Sequence, residues 1–182
     1  MSMAAQADDD DEDGLPGLPK DAPFVMSPAG HAALAEEARR LWQEERPRVV
    51  EVVSWAASLG DRSENADYQY GKRRLREIDR RLRFLRKRLD RARVVDPSRP
   101  ARRDRVFFGA TVTYARSSDD AEGTVTIVGL DETDAARGRV SYAAPVARAL
   151  LGASVGDLVR LRAPGGLEEL EVLSIRYPDP AP

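Results

Sequence analysis

Three carboxylates fall within the nine residues Gly60-Asp61-Arg62-Ser63-Glu64-Asn65-Ala66-Asp67-Tyr68. Their oxygens can serve one of two chemistries. Asp61-Arg62-Ser63-Glu64 has the spacing of a capping box, in which an acid at the N-cap and a glutamate three residues on satisfy open amides, worth about 1 kcal/mol to a helix. Left open, the same oxygens can ligate a metal ion. The two roles compete, because a carboxylate closed onto backbone amides has less to offer a cation. The residues taken alone favour the cap.

Two helical segments must position this stretch. Ser27-Pro28 opens the first, with Ser as N-cap and Pro at the first helical position. Leu34, Ala38 and Leu41, then Val49, Val52, Ala56 and Leu59, step by three and four, with an irregular interval at Glu45. Pro47 lies inside this helix and predicts a bend over Gln43 to Pro47. Gly60 would stop it through a left-handed residue. The second segment, an Arg-rich run that reaches Arg93, repeats without a break through Tyr68, Gly71, Leu75, Ile78, Leu82, Leu85, Leu89 and Ala92 as an a/d seam. Two such helices joined by a short polar turn form an antiparallel hairpin of roughly 40 Å, with the acids at its tip.

The charge is unevenly placed. The formal net charge is -2, yet residues 66–93 hold twelve bases against Asp67, Glu77, Asp79 and Asp90, a local balance of +8. Outer positions of the second helix carry Arg73, Arg74, Arg80 and Arg81, which predicts an anion-binding stripe with phosphate as the first candidate. At the other extreme, residues 1–27 carry seven acids, Asp8 to Asp13 and Asp21, against Lys20. That composition predicts a disordered, solubilising tail over residues 1–23. A further reading has the tail compete with nucleic acid for the basic helix.

Composition excludes several classes. There is no cysteine, so disulfides and thiolate metal sites are ruled out, which fits a reducing cytoplasm. The single His31 rules out a multi-histidine metal site and is expected to be solvated near a helix start. No apolar run approaches the ~20 residues that span a bilayer, so no membrane partner is expected. The acidic N-terminus has no signal-peptide pattern.

After Val95-Asp96-Pro97-Ser98-Arg99-Pro100, read as a linker over 96–104, the pattern turns strand-like. Thr111 to Tyr114, Thr124 to Val128 and Arg139 to Tyr142 read as strands. Pro145 to Leu151 reads as a short helix closed by Gly152. Leu158 to Arg162 and Leu170 to Tyr177 flank the hairpin signal Pro164-Gly165-Gly166. The fold class is α+β: an N-terminal coiled-coil hairpin over 24–95 with its tip at 60–68, and a small C-terminal domain over 105–178. Trp55 and Phe107-Phe108 are expected in a core or a domain interface, and Tyr68 and Gly71 in the seam.

The tip stretch resembles that of the bacterial Gre transcript cleavage factors, the GreB branch more than GreA. The resemblance continues through Gly71-Lys72-Arg73-Arg74-Leu75-Arg76-Glu77-Ile78-Asp79-Arg80-Arg81, Arg105 to Ala110, Pro145 to Gly152, Val155-Gly156-Asp157 and Pro164-Gly165-Gly166. It covers about residues 24–178, in order and at the family's spacing. It implies an FKBP-like C-terminal domain that binds bacterial RNA polymerase, with Pro145 and Arg148 among the contacts. The hairpin would enter the polymerase's secondary channel, where a backtracked RNA 3′ end lies. The factor would be no enzyme by itself, but a monomeric accessory to the polymerase's own RNA hydrolysis.

The resemblance assigns Asp61 and Glu64 to the chemistry, as ligands of a Mg²⁺ shared with the polymerase and not held tightly by the factor alone. Mg²⁺ usually takes only one or two protein carboxylates and keeps several waters, so two acids on a tip become useful when another molecule completes the shell. Ser63, Asn65, Asp67 and Tyr68 would support the tip, and Arg73, Arg74, Arg80 and Arg81 would hold the RNA backbone. Two departures fall in the C-terminal domain: Ala144 stands where the family has Ser before Pro145, and Thr133 interrupts Asp131-Glu132-Thr133-Asp134 where Ile is common. Both bear on polymerase affinity. Two alternatives stay open: a channel-binding regulator of the same shape that inhibits without cleavage, and a stand-alone prolyl isomerase or chaperone.

Overall fold

The computed structural model describes residues 22–59 and 66–180. By its internal contacts the chain divides into a helical unit, Phe24–Val94, and a sheet unit that comprises Val95–Pro182 and the residues before Phe24.

In the helical unit, α1 spans Pro28–Arg40, α2 Arg46–Ser58 and α3 Ala66–Asp90. The start of α1 is as expected: the Ser27 hydroxyl accepts from the Gly30 amide at 3.0 Å, and Pro28 occupies the first turn, where its missing N–H costs nothing. His31 lies half-buried in that turn. Between α1 and α2, Leu41–Glu45 forms a π turn, in which the Arg46 amide reaches back five residues to the Leu41 carbonyl. Pro47 follows at once. The disturbance expected from proline therefore takes the form of a π bulge, which inserts one residue into the repeat.

That insertion corrects the seam of the first helix. Leu34, Leu41 and Ala56 are buried, but Val52 and Leu59 are 48% and 61% exposed. Val53 faces α3 instead, where it lies against Gly71. Every seam position in α3 from Tyr68 to Leu89 is buried or half-buried, as its unbroken pattern predicts. The cross-helix pairs are Glu37 with Arg81, Glu45 with Arg74 and Val53 with Gly71. The number rises on one side as it falls on the other, so the helices run antiparallel. Trp55, expected in a core or an interface, is 59% exposed at the surface of this unit.

The base of the hairpin holds an element that has no counterpart in the expected plan. α3 ends at Asp90, short of Arg93, and β2 (Ala92–Val94) pairs in parallel with β1 (Phe24–Met26). Phe24 is 2% exposed, and the guanidinium groups of Arg88 and Arg91 lie 4.1 and 4.6 Å from its ring centroid. Buried aromatic surface and cation–π contacts close this end of the stalk.

The sheet unit has five strands in the order β5-β4-β3-β7-β6: β3 Thr111–Arg116, β4 Glu122–Val128, β5 Arg139–Ser141, β6 Leu158–Ala163 and β7 Gly166–Arg176. Pairing is antiparallel except for β4 with β5, and β3 shifts register against β7 between Thr113 and Tyr114. The core is built on one face from Val106, Val112, Ile127 and Val172, capped by Ala147 and Leu150 of α4 (Pro145–Leu150). Gly109 adopts φ +85° and its Cα lies so close to Pro97 that any Cβ would overlap the proline ring. No described helix is long and apolar enough to cross a membrane.

Candidate nucleic-acid and metal-accessory site

Asp61, Ser63, Glu64 and Asn65, the heart of the expected site, lie outside the described residues, as do Gly60 and Arg62 and the capping box they would form. What the structure describes is the two helix ends that flank them. Residues 60–65 connect the end of α2 to the start of α3. The Leu59 amide closes α2 onto the Ala56 carbonyl at 3.3 Å, and α3 opens at Ala66. Because the helices are antiparallel, the end of α2 and the start of α3 lie at the end of the hairpin opposite β1 and β2. Asp67 sits exposed in the first turn of α3, where the positive end of the helix dipole favours a carboxylate. Tyr68 is half-buried in the seam, with Lys72 Nζ 5.3 Å from its ring centroid. Among the described residues no group of three His, Cys, Asp or Glu side chains could hold a metal ion.

The four arginines expected to bind RNA divide between two settings. Arg73 and Arg80 are exposed on the outer face of α3. Arg74 instead reaches across to Glu45, with Nε at 2.7 Å, and along its own helix to Glu77 at 3.0 Å. The Glu45 hydrogen bond, with a smaller contribution from Glu77, raises its guanidinium above the ordinary value. Arg81 makes a bidentate pair with Glu37, its Nε and Nη2 donating at 2.7 and 2.8 Å. That pair holds the Glu37 carboxyl below the usual range, against a smaller opposing effect of burial. The +8 balance of residues 66–93 is thus partly offset by acids of the first helix, Glu37 and Glu45.

The pairing depends on the π turn. Glu37 and Glu45 are eight residues apart, while Arg81 and Arg74 are seven apart. The extra residue absorbed at Leu41–Glu45 brings both acids into line with both arginines. The sequence carried a signal of this in the irregular interval at Glu45. One flank of the hairpin is thus charge-compensated. The other flank holds a groove of about 680 Å³ with Ala35, Ala38, Trp42, Leu82 and Leu89 in its lining, where Arg86 pairs with Asp90 at 3.5 Å and Asp79 with Arg46 at 2.9 Å. Trp42 is 60% exposed there, with the Arg46 guanidinium 5.4 Å from its ring centroid. Neither the groove nor the paired acids could be read from helical periodicity.

On the sheet unit, Pro145 and Arg148 lie on the exposed side of α4, while Ala147 and Leu150 point into the core. Ala144 is the N-cap, extended at φ -62° and ψ 146°, with no side-chain hydrogen bond to the first turn. The departure from Ser therefore leaves an amide of α4 without its side-chain acceptor. Asp131 to Asp134 is ordered by local contacts: Glu132 accepts from the Gly129 amide at 3.1 Å, and Asp134 caps the turn Ala135–Arg137.

Comparison with known proteins places both units. The sequence description "Transcription elongation factor, N-terminal" matches residues 24–94, and "Transcription elongation factor, GreA/GreB, C-term" matches residues 100–177. A transcription elongation factor GreB from Neisseria meningitidis is 55% identical over 152 residues, covering 84% of this chain and 93% of the relative. GreB from Pasteurella multocida is 50% identical over 149 residues, covering 82% and 93%. Among solved structures, a transcription elongation factor GreA/GreB from Nitrosomonas europaea aligns over 86% of this chain and 99% of its own, at 21% identity and a TM-score of 0.38. Matched over both its units, and at half or more of its aligned positions to GreB relatives, the chain belongs to the GreA/GreB family of transcription elongation factors.

Proposed function

We propose that the chain binds bacterial RNA polymerase as a monomer and stimulates the polymerase's own cleavage of backtracked RNA, acting as an accessory and not as an enzyme. The observation that supports this reading is the antiparallel pairing of the first helix with α3, which brings the end of α2 and the start of α3 to one end of a helical stalk. With α3 alone of 25 residues, the stalk carries that end ~38 Å at 1.5 Å per residue. Side chains so placed can reach a site buried in a second molecule.

Asp61 and Glu64 are the acids offered there, and Asp67 is near in sequence. Two or three carboxylates leave a Mg²⁺ shell incomplete, so the donor set suits an ion that is already held by the polymerase. When bound, that ion would supply Lewis-acid activation of water and of the scissile phosphate. The chain's own acids would bind it through their carboxylate oxygens and orient it, and Ser63 and Asn65 are available to hold them. Tyr68, clamped in the seam by Lys72, fixes the start of α3 behind the acids. Of the four expected phosphate contacts Arg74 and Arg81 already hold Glu45 and Glu37, whereas Arg73 is exposed on the outer face of α3 and is the better placed. The sheet unit, taken as FKBP-like from the resemblance, would dock on the polymerase through α4, with Pro145 and Arg148 outward.

The test is a backtracked polymerase carrying RNA labelled throughout, incubated with wild type or with Asp61→Asn/Glu64→Gln. Wild type should release 3′ fragments, and the double variant should bind without cleaving. If both cleave equally, the tip acids have no part in the chemistry. Inhibition by wild type would instead identify a channel regulator.

A further inference from the structure

We infer that Val52, Trp55, Leu59 and Tyr70 form a protein-docking face on one flank of the stalk, and that this face seats the end of the hairpin against the wall of the polymerase channel. The helical unit leaves these four large side chains in water, at 48%, 59%, 61% and 67% exposure. They fall on one flank, which the Glu45–Arg74 ion pair marks on both helices. Val52 and Leu59 follow Glu45 by seven and fourteen residues and so return to its side; Trp55 lies three beyond Val52 and four before Leu59. Tyr70 stands four before Arg74, one turn along the same side of α3. Their levels agree as well. Gly71 meets Val53, and from that contact Tyr70 and Trp55 lie one and two residues nearer the end of the hairpin, within ~3 Å of each other along the axis.

Other side chains supply the packing of the hairpin itself: Val49 and Val53 lie against Gly71, and Ala56 is fully buried. The residue absorbed at Leu41–Glu45 sets that phase and leaves Val52, Trp55 and Leu59 outward. An exposed apolar patch with aromatic residues at its centre and charges around it has the composition of a protein interface. The charges decide between a protein and a nucleic acid. Beside the patch stand Arg48, Arg73 and Arg74 against Glu45, Glu51, Asp67 and Glu77, three bases to four acids among the described residues. Arg74, moreover, is already held by Glu45 and Glu77. A face that tracks a strand of phosphates needs a cationic surplus, and this one has none. Its occupant is therefore a protein surface with an apolar recess and mixed charge at the rim.

Position names that protein. The face occupies the last turns of α2 and the start of α3, next in sequence to Asp61 and Glu64. On the function proposed above, on which this inference rests, the polymerase encloses that end of the stalk. Its channel wall would then desolvate the patch and fix the rotation of the stalk about its own axis. Trp55 and Tyr70 are the expected anchors, because a few aromatic side chains carry most of the affinity of such contacts.

The test measures binding of the full chain to stalled transcription complexes, backtracked and not backtracked, together with RNA cleavage at saturating factor. Trp55→Ala should raise the half-saturating concentration about tenfold in both complexes and leave the cleavage rate at saturation unchanged. Tyr70→Ala, on the other helix, should weaken binding in the same way, and Trp55→Phe should stay within about twofold of wild type. Val50→Ser removes an apolar side chain that is 40% exposed on the other side of Val53, and should have no effect. Equal urea midpoints will show that these surface changes leave the fold intact. Unchanged binding by both Trp55→Ala and Tyr70→Ala would overturn the inference. So would a loss confined to the backtracked complex, which would place RNA bases on the patch, or dimerisation of wild type that Trp55→Ala abolishes, which would place a second copy there. Wild type that neither binds nor cleaves would refute the proposed function itself, whereas active wild type beside an equally active Trp55→Ala and Tyr70→Ala refutes only the docking face.

Discussion

Gly71 is where the two strands of the stalk come closest, and replacing it with alanine tests the packing from which the whole hairpin is built. It lies within α3, so its backbone is helical and the usual expectation is a gain: Gly→Ala in a helix interior is worth about 1 kcal/mol. The structure predicts the opposite sign. A Cβ at this position would overlap the Cγ2 of Val53, and the Val49 side chain is 4.0 Å away on the same side. Relief requires Val53 to leave its rotamer or the helices to separate, and overpacking of this kind costs about 1–3 kcal/mol. The net effect of Gly71→Ala is therefore a destabilisation of about 1 kcal/mol. In a Val53→Ala background the clash disappears while the propensity gain stays, so the same substitution should stabilise by about 1 kcal/mol. The coupling between the two sites is then about 2 kcal/mol, within the range found for residues in contact. Urea unfolding followed by far-ultraviolet circular dichroism, which is dominated by the three stalk helices, measures all four members of the cycle. If Gly71→Ala stabilised the protein equally in both backgrounds, the helices would not meet at this glycine and the register described here would be wrong.

Two further outcomes follow from local chemistry. Glu37 is held below its ordinary value of 4.5 by Arg81, so the stability its pair contributes is complete above that value and drains away as pH falls through the depressed one. Glu37→Gln should remove that part of the acid-unfolding limb and leave stability at neutral pH lowered by no more than about 1 kcal/mol, as both partners are partly exposed. An unchanged acid limb would show that the pair does not form in solution. At the head of α4, Ala144→Ser should restore the missing acceptor and raise the stability of the sheet unit by about 1 kcal/mol, read from its thermal transition. No gain would mean that the first amides of α4 are already satisfied by water.

Compensation on one flank of the hairpin has a functional meaning. An arginine already in a bidentate pair must give up a carboxylate before it can take a phosphate, and the exchange yields little net energy. Arg74 and Arg81 are therefore engaged within the stalk, whereas Arg73 is exposed on the outer face of α3.

Much of the architecture was legible in the residues. The seam of α3 follows from an unbroken apolar repeat, and the five strands and α4 follow from β-branched runs, turn residues and Pro145. These are local properties, set by the period with which side chains return to one face. The tip acids Asp61 and Glu64 are read from type and spacing alone and lie outside the described residues. Only the tertiary structure decided the rest. The phase of α2 depends on one residue inserted at Leu41–Glu45, which moves Val53 inward and Val52 outward and aligns Glu37 and Glu45 with Arg81 and Arg74. A strand of three residues such as β1 or β2 carries no pattern of its own and exists through its partner across the base of the stalk. Periodicity tells which face of an element is apolar; which residues meet across two elements is a matter of register, and register is determined where the chain packs against itself.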